Sequence, residues 1–173
     1  MKTLMRSLLF AVITILVMLP GCGKNDDKVL NKMTIAGNEN TEYEFNIDYT
    51  PLEALFDAVE WKCGNPIGGY IIQINFSPSA VMVINLYALE SGSTVIPGNF
   101  DIGSFCDQDG AEAGFEFSSG GKAMELWMLS GTVNISKKRD TYDIDVDLAI
   151  HPDAGGGTLK GNFHGGLTET VFE

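Results

Sequence analysis

Histidine is nearly missing from this chain. Its 173 residues include two, His151 and His164, with three cysteines and 11 lysines and arginines against 23 acids. Each shortage closes off a chemistry. Zinc hydrolysis of the H-E-x-x-H kind needs two histidines one helical turn apart, which His151 and His164 are not, and no paired C-x-x-C stands in for them. Acyl transfer by serine or cysteine needs a base within hydrogen-bond reach of the nucleophile, and no G-x-S-x-G elbow presents one. His151 stands beside Pro152 in a turn and His164 on an exterior strand face, so both read as surface residues. The shortage of positive charge excludes nucleic acid as a partner, because phosphate binding draws on clustered Lys and Arg. No catalytic residue, metal site or cofactor is expected, and the chain reads as a non-enzyme.

Long apolar runs are absent too. The greasiest segment, Leu8–Leu19, has twelve residues with Thr14 its one polar member, short of the roughly 20 that cross a bilayer as a helix. Lys2 and Arg6 precede it and Pro20-Gly21 close it, the pattern of an export signal. The sequence Leu19-Pro20-Gly21-Cys22 resembles the lipobox of bacterial lipoproteins, with Pro20 where that pattern more often has Ala or Ser. The resemblance implies that the Cys22 thiol takes a diacylglycerol, that residues 1–21 are removed and that the new amino terminus is acylated. The alternative is an ordinary signal peptide with Cys22 left as a free thiol. Two or more acyl chains hold a protein stably on a bilayer, each buried CH₂ contributing about 0.8 kcal/mol. The membrane is then a partner through Cys22, and the chain is tethered, not spanning.

Removing residues 1–21 takes away Lys2 and Arg6 and no acid, which leaves 9 basic against 23 acidic side chains and a formal charge of −14. Residues 22–31 form the acylated cysteine and a polar, acidic stalk. Residues 32–173 are enough for one domain with one core. With Cys22 spent on lipid, Cys63 and Cys106 remain as a candidate disulfide in an oxidising compartment. Its closure would add about 4 kcal/mol; two separately buried thiols are the alternative.

The body of the chain reads as strands. In "YDIDVDLAI", Tyr142, Ile144, Val146, Leu148 and Ile150 alternate with Asp143, Asp145 and Asp147, a half-buried antiparallel strand. "SGTVNIS" before it and "TLKGNFHGGL" after it complete a three-stranded meander. "YIIQINFS" and "VMVINLYAL", "AGFEFS" and "AMELWML", and "KMTIAG" and "EYEFNI" form hairpins about turns at 78–80, 118–122 and 38–41. About ten strands predict an all-β fold, a single antiparallel meander closing into a lipocalin-like barrel or a two-sheet sandwich. "TPLEALFDAVEW" breaks the pattern. Thr50 as N-cap, Pro51 at the first helical position, Glu53 three residues after the cap and a stripe of Leu52, Leu55, Phe56 and Val59 predict one short helix near 51–59, against a strand from Phe56 to Lys62.

The C-terminal meander, residues 130–167, with "VIPGNFDIG" at Val95–Gly103 and the early hairpin, resembles small all-β surface lipoproteins of Bacteroidales-type bacteria. In those bacteria, acids just after the lipidated cysteine resemble a surface-export signal. Lys24, Asn25, Asp26 and Asp27 occupy that place, implying the outer face of the outer membrane, with the periplasmic face as the alternative. Otherwise Asp26 and Asp27 solubilise a linker.

Other clusters are weaker. Asp107, Asp109, Gly110 and Glu116 match positions of a calcium loop, but Phe105 stands where the first oxygen is needed, and a solvated loop is the better reading. The ladder Asp143, Asp145, Asp147 reads as a charged exterior. Trp61, Trp127, Tyr70 and Tyr87 read first as core packing, with a platform for a sugar ring or the lining of a ligand cavity as alternatives. The expected function is an outer-membrane-anchored module presenting a non-catalytic β-domain to a glycan or protein. The alternative is a lipocalin-like carrier of a small apolar ligand, and a hydrolase comes third. The barrel interior discriminates the first two: packed side chains favour a presenter, an open cavity a carrier.

Overall fold

The computed structural model describes residues 31–37, 47–63, 65–77, 79–87, 94–103, 110–119 and 122–172. Ten strands run through them: β1 (Lys32–Ala36), β2 (Ile47–Cys63), β3 (Asn65–Ser77), β4 (Ala80–Tyr87), β5 (Gly98–Ile102), β6 (Gly110–Ser119), β7 (Lys122–Lys138), β8 (Thr141–Ile150), β9 (Thr158–Gly165) and β10 (Leu167–Glu169). Alternation sets their faces. In β8, Tyr142, Ile144, Val146, Leu148 and Ile150 are buried, Asp145 and Asp147 are exposed and Asp143 is half-buried.

Successive strands pair antiparallel, β2 with β3, β3 with β4, β4 with β6, β6 with β7, β7 with β8 and β8 with β9. β1 then joins β9 on one side and β2 on the other. Eight strands therefore close a ring of hydrogen bonds, the connectivity of an up-and-down barrel that leaves no long free edge. The two remaining strands fill gaps: β5 lies between β7 and the start of β6, and β10 runs parallel to β2 beyond the reach of β1. At the closing seam Asp48 takes Lys32 Nζ at 2.7 Å and Thr34 Oγ1 at 2.9 Å. These hydrogen bonds hold its carboxyl below the usual carboxylate range.

The interior is filled. Its side chains are apolar or aromatic, at most 5% exposed, and no polar or charged residue is buried among the described residues. Tyr49, Phe76, Phe115 and Phe117 pack ring against ring, Tyr49 and Phe115 with centroids 5.0 Å apart.

The expected helix near 51–59 is overturned: those residues lie inside the continuous strand β2. The cause is a β-bulge. Pro51 faces Phe76 and Glu53 faces Asn75, so Leu52 is an extra residue, 66% exposed. Buried Tyr49 and Pro51 before the bulge are out of step with buried Ala54 and Phe56 after it. That slip imitates helical spacing, and a bulge is one place where a strand tolerates proline. A second bulge at Leu129, between Met128 and Ser130, joins "AMELWML" and "SGTVNIS" into the single strand β7.

One barrel end carries Asn31, the β2–β3 link and the β7–β8 turn; the other carries the β3–β4 and β8–β9 turns. At the first end the Asn31 side chain behaves as a strand residue. Its Oδ1 accepts from His164 N at 3.0 Å and its Nδ2 donates to His164 O at 3.3 Å.

Candidate functional site

The strand registers build a continuous outer wall on β4, β6 and β7. Asn85 faces Glu112, Val83 faces Gly114 and Val81 faces Glu116. Across the next seam Gly114 faces Trp127 and Glu116 faces Glu125. Period two sends all of these side chains outward. All of them but Val81 line an open hollow of about 500 Å³ together with Ile102, Gly103, Ala113 and Met128. A second hollow of about 670 Å³ lies at the β3–β4 turn end of the wall, where the core-facing Phe76, Phe117 and Met124 meet Asn75 at the barrel mouth, and it shares Glu116 and Glu125 with the first. The two form one trough with the carboxylate pair at its middle.

Three features set this wall apart. Trp127 is 59% exposed, although a tryptophan commonly buries most of its surface. Its cross-strand neighbour Gly114 lies inside a strand, where glycine weakens the sheet. A Cβ there would meet nothing nearer than Leu126 O at 3.9 Å, so packing does not require the glycine. Finally, Glu116 and Glu125 are directly opposed like charges, a destabilising cross-strand pair. The chemistry on offer is a flat indole beside a bare strip of backbone, ringed by hydrogen-bond acceptors.

Tyr87 positions one of those acceptors. It points outward yet is fully buried, with the Trp61 ring edge-on to it at 5.2 Å, and its OH donates to Glu112 Oε2 at 2.8 Å. Burial first, and the Glu112 carboxylate second, push the phenol well above its ordinary value of 10.0. A raised folded value means support that is complete below the unfolded value and is lost as pH rises past it. Stability is therefore expected to fall above about pH 10. Tyr87→Phe should flatten that fall while costing about 1 kcal/mol at neutral pH for the lost hydrogen bond. Thermal melts from pH 8 to pH 12 measure both.

The residues singled out from sequence distribute unevenly. Cys22, Lys24, Asn25, Asp26, Asp27 and Cys106 lie outside the described residues, as do Asp107 and Asp109. The backbone of Cys63 closes β2 opposite Asn65, and its side chain is likewise outside. Glu116 sits in mid-strand with its carboxylate in the trough. The aspartate ladder faces outward, Asp143 paired with His164 and Asp147 with Lys160 at 2.9 Å, so β9 answers two of its three charges. Among the described residues no group of three His, Cys, Asp or Glu is placed to hold a metal, and no helix is long and apolar enough to cross a membrane. The four aromatics divide: Tyr70 is core, Tyr87 is covered beside Trp61, and only Trp127 offers an open face.

Sequence reasoning missed Gly114, Glu112, Glu125 and Asn85. The signal was present for two pairs. In the expected hairpin of "AGFEFS" and "AMELWML", one antiparallel register sets both Gly114–Trp127 and Glu116–Glu125.

The fold and wall define an all-β closed barrel with a filled interior and an exterior trough. Compared with family models, curated proteins and solved structures, the chain matches none.

Proposed function

We propose that the chain is a lipid-anchored, non-catalytic binding module, tethered through Cys22 to the outer membrane and displayed at the cell surface, whose trough takes a neutral glycan. The observation that carries the reading is Trp127 exposed beside Gly114 on a wall of acceptors. A pyranose ring presents a flat C–H face that stacks on an indole. Its hydroxyls are donors for Glu112, Glu116 and Glu125 and can bond the Asn85 amide either way. The missing side chain at Gly114 lets the ring approach the backbone. Support for a presenter over a carrier of a small apolar ligand comes from the interior, where core side chains are at most 5% exposed, and from the outward-facing Val83, Asn85, Glu112, Glu116, Glu125 and Trp127 that line the first hollow. A hydrolase would need one carboxylate desolvated as a proton donor, whereas Glu116 and Glu125 lie on an exposed face.

A glycan array probed with the mature protein, followed by titration of the best hit, tests the reading. Trp127→Ala is expected to weaken binding by at least about fivefold, the low end of an aromatic contact of about 1 to 3 kcal/mol, with an unchanged melting temperature. Gly114→Val should abolish binding by filling the floor while leaving the fold intact or firmer. Retained affinity in both variants would move the site elsewhere. The mass of the mature amino terminus reads the anchor.

A further inference from the structure

We infer that the β7–β8 hairpin, Lys137-Lys138-Arg139, is a foot that rests on anionic lipid headgroups, whose phosphate charge no choline offsets, of the membrane to which the chain is tethered; this rests on the Cys22 anchor proposed above.

Position is the first argument. The chain enters the barrel at Asn31, whose amide is bonded to the backbone of His164. His164 in turn contacts Asp143, and the two line a hollow of about 520 Å³ with Lys138, Arg139, Asp140 and Thr141. The nine residues from Cys22 to Asn31 span at most about 30 Å. Whatever their path, the end of the barrel that carries this hairpin is held within that distance of the bilayer.

Charge is the second. In a chain of formal charge −12, this hairpin puts three cations in succession with Asp140 the one acid of the turn. Lys32 and Lys160 are held by Asp48 and Asp147. Among the described residues Lys138 and Arg139 form no ion pair and both are exposed, while Lys137 lies over the Tyr142 ring at 4.9 Å. A guanidinium and an ammonium side by side suit phosphate oxygens.

Backbone strain is the third. Arg139 has φ 60° and is the only non-glycine among the described residues in the left-handed region. Glycine or asparagine would sit there more easily. An exposed arginine with no partner in the fold, kept where its backbone is disfavoured, points to a use for the side chain outside the fold.

The consequence for the trough is distance. Trp127 lies eleven residues before Lys138 on the same strand, about 35 Å when extended. With the foot down, the binding wall stands clear of the headgroups.

The test compares the mature full chain, and its Arg139→Gly variant, on vesicles of pure phosphatidylcholine and of equimolar phosphatidylcholine and phosphatidylglycerol. Flotation with the neutral vesicles reads the anchor alone. Labelling of Lys137 and Lys138 by a neutral amine-acylating reagent, normalised to Lys160, reads the foot. Labelling should fall about tenfold on the anionic vesicles, each cation near the surface being worth about fivefold. Arg139→Gly should lose about fivefold of that protection while its melting temperature holds or rises. Flotation with anionic vesicles only, with the protection intact, would keep the foot and remove the anchor. Equal labelling on both vesicles, or equal protection in Arg139→Gly, overturns the inference, as does a lower melting temperature in that variant.

Discussion

Val146→Asp is expected to consume most of the stability of this domain, which for a protein of this kind is roughly 5 to 15 kcal/mol. Val146 is 4% exposed and lies between Val133 of β7 and Gly161 of β9. Its surroundings hold no polar partner, since no polar or charged residue is buried among the described residues. A carboxylate at that point must stay ionised without solvation or take up a proton at neutral pH, and either course costs several kcal/mol. The neighbouring Asp145→Asn, on the wet face, should move stability by less than about 0.5 kcal/mol. Chemical denaturation of the two variants beside the parent measures the contrast. An unfolded Asp145→Asn with an intact Val146→Asp would mean that β8 presents its other face to the core.

A second large effect is expected at Gly131, where backbone and not side chain sets the cost. Its φ is +126°, and a Cβ there would lie 2.2 Å from Asp147 O and 2.8 Å from Leu148 Cα. Those atoms belong to the backbone of β8, so relief requires β7 and β8 to separate just after the Leu129 bulge. Gly131→Ala should cost about 3 to 5 kcal/mol, combining left-handed strain with crowding that no rotamer change can relieve. Gly114→Ala provides the contrast, since its Cβ has room. That variant should be neutral or up to about 1 kcal/mol more stable, because alanine loses less conformational freedom on folding. Thermal melts of the two variants check both signs; a Gly114→Ala that unfolds would show that packing needs the glycine, and the wall would lose one of its arguments for a ligand.

Much of the fold was legible where alternation runs unbroken. β8 shows its two faces in nine letters because each acid sits beside a branched or aromatic residue and one face is water. Legibility failed at the bulges. A strand with an inserted residue carries two correct alternations out of phase, so β2 reads as a helical stripe around Leu52 and β7 reads as two strands on either side of Leu129. The pattern is local, whereas a bulge is defined only against a partner strand. The same reason hid the trough. Glu116, Glu125, Gly114 and Trp127 carry no shared motif and become neighbours only through register, while Asn85 and Glu112 need the longer-range pairing of β4 with β6. Trp127 was noticed, but its exposure depends on which way its strand faces.

The Asn31 clamp also decides how the molecule bears a load. If the chain is anchored at Cys22 and binds a ligand in the trough, as proposed above, tension would enter the barrel through one point, the start of β1. That strand is bonded to β9 on one side and β2 on the other, and the Asn31 amide adds two further bonds just ahead of the ladder. Force drawn along the strand axis is met by both ladders together, in shear, instead of opening one ladder bond after bond. Under that proposal the closing strand of the barrel would double as its mooring, and the first bonds to strain would be the two Asn31 side-chain bonds ahead of the ladder.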